Sequence, residues 1–199
     1  MISAHQSLSR LREGNRRFVE SRQGPPPRPG TSQQPFAIVL GCSDARVPAE
    51  LVFGQGFGDL FVIRVAGNIV APSQVGSVEF AAEVFGIRLA VVLGHTQCGA
   101  VMATLDVLRR PKGTESANLR AIVDRIRPAV EPLVVAGDKQ GADVVAAAVR
   151  ANVRASVQQL RHGSTLLEHR IEQDGLLIVG AEYCLETGAV EFFDGAPGA

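Results

Sequence analysis

Three short runs of aliphatic and β-branched residues, at 36–41, 60–65 and 88–94, constrain this chain more than any other feature. Each run is continuous rather than alternating, so neither face suits water, which is the pattern of strands buried on both sides in a parallel sheet. Between the second and third, Val75, Val78, Ala82 and Phe85 recur at intervals of three and four, and a helical stretch from Cys98 to about Arg109 follows the third. Residues 115–130 and 140–161 read as two more helices. The second carries Val145, Val149, Val153 and Val157 on one stripe and ends at His162 and Gly163, where glycine suits a left-handed position. A strand pair, Leu176 to Val179 and Ala189 to Phe193, flanks a turn at Glu186, Thr187 and Gly188. The order predicts an α/β fold: a mostly parallel central sheet of four strands plus an antiparallel edge strand, flanked by helices.

Ahead of the sheet, Leu8, Leu11 and Phe18 repeat at helical spacing, so residues 5–21 read as a projecting amphipathic helix with Arg10, Arg12, Arg16 and Arg17 largely outside its apolar stripe. Such a helix needs something to pack on. The segment from Gly24 to Gly30 holds four prolines and cannot continue it. A chain of 199 residues suits one domain burying roughly 70% of its unfolded surface. Residues 1–199 therefore read as a single domain, with 1–35 as a helical arm and Pro-rich connector.

Twenty basic residues balance twenty acidic ones, so no global field favours nucleic acid or an anionic membrane as partner. The longest apolar runs fall far below the roughly 18 residues of a membrane span. Met1 to Ser7 lack the basic segment and apolar core of an export signal, so a cytoplasmic location is expected. In that compartment three cysteines are too few for a disulfide scaffold and point to metal ligands or reactive thiols.

Their neighbours carry the chemistry. The first strand runs into Gly41, Cys42, Ser43, Asp44, Ala45 and Arg46, and the third into Gly94, His95, Thr96, Gln97, Cys98 and Gly99. Ligands of open parallel sheets bind beyond the carboxyl ends of the strands, where both clusters arrive. Cys42, His95 and Cys98 supply two thiolates and an imidazole, a soft set suited to Zn²⁺, and three protein ligands leave a tetrahedral position open for catalysis. Singly, each also fits a bland role as a small core cysteine or a loop histidine; a metal site requires their convergence, and packing does not. Cys184 has no such company and reads as structural. Asp44 is a fourth ligand, an acceptor for the metal's water, or a turn residue, and Arg46 can hold its carboxylate bidentately. Zn²⁺ with two thiolates has no formal charge, so its water should be less acidic than the pKa of about 7 at an all-histidine site, and activity should rise into the alkaline range.

In the stretches Cys42 to Arg46 and His95 to Gly99, the spacing between them, and the further stretches Asp59 to Arg64 and Gly67–Asn68, the chain resembles a β-class carbonic anhydrase. The resemblance runs to the end of the chain. It implies reversible hydration of carbon dioxide to bicarbonate and a proton by attack of zinc-bound hydroxide, and a homodimer or homotetramer in which the N-terminal helix grips a neighbour. Cys42, His95 and Cys98 then bind zinc and Arg46 holds Asp44 as hydrogen-bond acceptor, while in some members the aspartate swings onto the metal and closes the site. Gln33, Phe61, Ala66 and Phe80 fall where the family lines its carbon dioxide pocket, with Gly99 opening the following helix; Phe80 stands where many members have tyrosine. Some members bind inhibitory bicarbonate with a tryptophan, an arginine and a tyrosine. Arg64 and Tyr183 match here, but position 39 is valine.

Rival readings are a related zinc hydrolase of carbonyl sulfide or carbon disulfide, and a non-enzymatic zinc or redox interaction protein with Asp44 permanently on the metal. A nucleotide-binding domain would need a glycine-rich loop after the first strand, where Cys42 to Arg46 stand.

Overall fold

The computed structural model describes residues 2–21, 33–110, 116–136 and 141–197. The Pro-rich connector expected at 24–30 lies outside them. The chain divides after Gln33 into two compact units.

The first unit is helix α1, Ala4–Ser21, and none of its residues is buried. Its polar side is laced by Arg16, which bonds Glu13 at 2.7 Å and Glu20 at 2.5 Å. Exposed pairs of this kind give a helix a few tenths of a kcal/mol each, about 0.3–0.5.

The second unit holds β1 (Ala37–Gly41), α2 (Ala49–Val52), β2 (Leu60–Arg64), α3 (Pro72–Val84), β3 (Leu89–His95) and α4 (Gly99–Arg109). It continues with α5 (Ala117–Ala136), α6 (Ala142–His162), α7 (Thr165–Asp174), β4 (Leu177–Tyr183) and β5 (Val190–Asp194). The sheet order is β2-β1-β3-β4-β5, parallel except for β5, which pairs antiparallel with β4. The fold expected from the sequence is the fold observed.

Strand parity divides the core. Ile38, Leu40, Ala90, Val92 and Ile178 pack with α3, α6 and α7. Val39, Val91, Leu93, Val179 and Ala181 face the other way, where α2 and the segments around Leu185 and Ala196 cover them. A third cluster joins α4, α5 and α6 and includes Cys42 and Cys98. Helix α6 lies close on the sheet because two strands offer it glycine. A Cβ on Gly94 would stand 2.5 Å from Val153 Cγ2, and one on Gly180 2.9 Å from Val153 Cγ1. Overpacking of this kind costs about 1–3 kcal/mol. Gly94→Ala is therefore expected to lower the urea unfolding midpoint accordingly; an unchanged midpoint would show that α6 can lift without penalty.

Several local expectations are corrected. Strand β2 is an edge strand and only half-buried, because its far side has no neighbour in the sheet. Helix α5 continues beyond 130 to Ala136 through Pro128 and Pro132, held by the burial of Ile126 and Val130 rather than by an unbroken hydrogen-bond ladder. Gly163 has φ −102°, not a left-handed value; glycine is needed there because a Cβ would meet the Gln159 carbonyl oxygen at 2.4 Å. Helices α2 and α7 had no counterpart in the sequence reading.

Candidate metal centre

The parallel register places the ends of β1 and β3 side by side, with Gly41 opposite Leu93. Cys42 follows β1 directly and His95 is the last residue of β3. Gln97, at φ 57°, turns the chain back so that Cys98 caps the N-terminus of α4. Two sulfurs and an imidazole nitrogen thereby come within 4.8 Å of one another, all three residues buried. The Sγ atoms of Cys42 and Cys98 stand 4.0 Å apart as free thiols.

These atoms fit a metal ion. His95 Nδ1 lies 2.9 Å from the Thr96 carbonyl oxygen, which can only accept, so Nδ1 carries the proton and Nε2 presents a lone pair. Among the described residues that Nε2 is buried without a hydrogen-bond partner, an arrangement that costs on the order of 1–3 kcal/mol unless something occupies it. Two thiolates bound about 2.3 Å from one tetrahedral ion would themselves stand about 3.8 Å apart. The thiols titrate as a pair. The Cys98 contact lowers Cys42 well below an ordinary thiol against the effect of burial, helped by His95 and the Gly67 amide. Cys98 is driven up by Cys42 and by burial. Burial pulls His95 down, but the Cys42 sulfur and the Thr96 carbonyl outweigh it and the net shift is upward.

Beside this trio stands Asp44. Its Oδ1 accepts from the Arg46 amide and Nε, each at 2.9 Å, and its Oδ2 accepts from Arg46 Nη2 at 2.8 Å. Oδ2 is 3.9 Å from His95 Nε2. The Arg46 side chain, then its amide, hold the Asp44 carboxyl far below the usual carboxylate range. Arg64, at the end of β2, clamps the same loop: Nε donates to the Cys42 carbonyl at 3.0 Å and Nη2 to the Asp44 carbonyl at 2.5 Å.

The sequence model of the carbonic anhydrase family matches residues 37–190. Carbonic anhydrase 2 of Mycobacterium tuberculosis is 37% identical over 186 residues, spanning 89% of this chain and 87% of that protein. The carbonic anhydrase of Mycolicibacterium smegmatis is 39% identical over 188 residues, spanning 91% and 89%. Among solved structures, the β-carbonic anhydrase CcaA has a TM-score of 0.79 at 25% identity over 97% of this chain and 94% of that one. The chain belongs to the β-carbonic anhydrase family.

This carbonic anhydrase is accordingly an enzyme of reversible carbon dioxide hydration, with a Cys–His–Cys group that could hold a metal ion. The remaining sequence candidates are distributed less tightly. Phe61, Phe80 and Phe85 form a cluster with ring centroids 5.6–6.3 Å apart, Phe80 meeting Phe85 edge-on, and Phe61 and Phe85 pack on the Ile38 and Leu40 side of the sheet. They are not in the cluster that contains Cys42 and Cys98. Ala66 is half-buried in a 3-10 turn after β2, Gly99 begins α4 with open space above it, and Gln33 is an exposed residue of the N-terminal unit. Val39 is buried in the sheet core. Cys184 lies in the β4–β5 turn, bonded through its backbone to Ala189 and Gly188. The sequence reading did not find the Arg64 clamp on the loop, nor the Gly67 amide, which donates to Cys42 Sγ at 3.4 Å.

Proposed function

We propose that this carbonic anhydrase uses Zn²⁺ held by Cys42, His95 and Cys98, with Asp44 and Arg46 as its catalytic dyad. The observation that carries the assignment is the bare, buried Nε2 of His95 facing two free thiols beside a clamped carboxylate. Soft thiolates with one imidazole suit zinc, which supplies an activated water as nucleophile for carbon dioxide. Arg46 occupies both oxygens of Asp44, which keeps the carboxylate off the metal position, ionised, and ready to accept a hydrogen bond there. That engagement favours the open, enzymatic arrangement over an interaction protein with Asp44 as permanent ligand.

Self-association belongs to the same proposal. The apolar stripe of α1 exposes Leu8 and Leu11, and the second unit exposes Phe36 and Leu51. A homodimer or homotetramer would cover such residues. Among the described residues no helix is long and apolar enough to cross a membrane. We place the enzyme in the cytoplasm, the whole chain acting as one functional unit, with carbon dioxide and bicarbonate as its partners rather than nucleic acid or a membrane.

Stopped-flow hydration of carbon dioxide, run with zinc analysis of the same sample, tests the reading. The expected result is about one zinc per chain, as one such site requires. Turnover should climb as pH is raised past about 7, because two thiolate ligands leave the bound water less acidic than at an all-histidine site. A rate independent of pH between about 7 and 9 would contradict the charge argument. Zinc without hydration, but with carbon disulfide turnover, would redirect the substrate assignment.

A further inference from the structure

We propose that Asn152, on α6, is a positioning residue for the metal centre, acting through the backbone of Gly67 on the sulfur of Cys42. This rests on the reading of Cys42 as a metal ligand. Asn152 is 2% exposed, and its Nδ2 donates to the Gly67 carbonyl at 2.8 Å. One helical turn on, Ser156 donates to the Asn68 carbonyl at 3.0 Å. Both interrupt a surface that is otherwise Ala148, Val149, Val153, Val157 and Leu160, each at most 1% exposed. A buried amide is costly unless it is bonded, so its place in this stripe calls for a partner that needs it.

That partner is a turn of two left-handed residues. Gly67 and Asn68 both adopt positive φ, 70° and 43°, and the Asn68 amide bonds the Val65 carbonyl. Glycine in a left-handed conformation has many alternatives, so an outside constraint decides which one it keeps. The turn is wedged between helices: a Cβ on Gly67 would lie 2.8 Å from Ile126 Cδ1 and 3.0 Å from Ala100 Cβ, while α6 holds the carbonyl. In the conformation so fixed, the Gly67 amide points at Cys42 Sγ, 3.4 Å away. An amide aimed at a thiolate holds the sulfur in place as an anion and lowers the energy of its lone pairs, the way partners behind metal ligands orient and tune a site.

Cobalt(II) in place of zinc gives a readout independent of turnover, since thiolate-to-cobalt charge transfer reports electron density on sulfur. Asn152→Leu and Asn152→Ala are expected to move that band to longer wavelength and to weaken metal retention against a chelator by about 10–100-fold. Ser156→Ala, which loosens the neighbouring carbonyl, is expected to lower thermal stability while leaving the band where it is. Folded Asn152 variants with an unshifted band and unchanged metal retention would overturn the proposal and reduce Asn152 to a partner for a turn carbonyl. Absence of any thiolate band in the unmodified protein would overturn the ligand reading itself, and the proposal with it.

Discussion

Cys42→Ala and Cys98→Ala should each yield a folded protein that has lost its metal and, with it, carbon dioxide hydration. Both thiols border the apolar cluster of Ile69, Val101, Leu105 and Ile126, so alanine is tolerated by the packing. The chemistry is not tolerant. Without the ion, the attacking water keeps its bulk pKa of about 15.7, and turnover should fall by at least about a thousandfold, to the floor of the assay. Far-ultraviolet circular dichroism, zinc analysis and stopped-flow hydration on one preparation make the check. Zinc retained at full occupancy in both variants would remove the two thiolates from the ligand set, and the buried Nε2 of His95 would need another explanation.

Asp44→Asn separates a different function. The amide keeps the size of the side chain but carries no negative charge, so zinc should stay while hydration drops by about a hundredfold or more, the scale of a lost preorganised hydrogen-bonding group. Arg46→Ala should do similar damage by another route. Freed from its bidentate partner, the Asp44 carboxylate lies 3.9 Å from His95 Nε2 and is within reach of the metal position. If the two residues act as one device, the double variant should be little worse than either single one; additive losses would mean they act separately. The ion pair also has a pH signature. Folding lowers the Asp44 pKa, so its contribution to stability is fully present above the unfolded value near 3.9 and is lost as pH falls towards the lower folded value. Arg46 is exposed, so this contribution is small and screened by salt. Acid unfolding of Arg46→Ala should lack it.

Strands were the most legible part of the sequence, because continuous aliphatic runs have few other uses, and β1, β2 and β3 lie within a residue or so of the runs at 36–41, 60–65 and 88–94. The metal candidates were legible for a related reason: Cys42, His95 and Cys98 sit where strands end, and strand ends are where an open parallel sheet gathers its ligands. What escaped depends on contacts between distant segments. Nothing local to Arg64 shows that its guanidinium will hold the carbonyls of Cys42 and Asp44. Nothing local to Asn152 and Ser156, beside the valine stripe, shows that their partners are Gly67 and Asn68, more than eighty residues away. The helix expected at 115–130 runs on to Ala136 with Pro128 and Pro132 inside it, because buried Ile126 and Val130 hold it. Gly163 was read as a conformational device, whereas it answers a steric one.

The sheet order has a kinetic corollary. Cys42 and Cys98 are 56 positions apart, and β1 pairs with β3 across the intervening β2, which lies at the outer edge. Non-local parallel pairing is slow, because the entropy of closing a long loop is spent before any contact rewards it. The three candidate ligand atoms therefore do not exist as a cluster in the unfolded chain and assemble only with the centre of the sheet. Metal capture would then be a late event, one that slows unfolding without hastening folding.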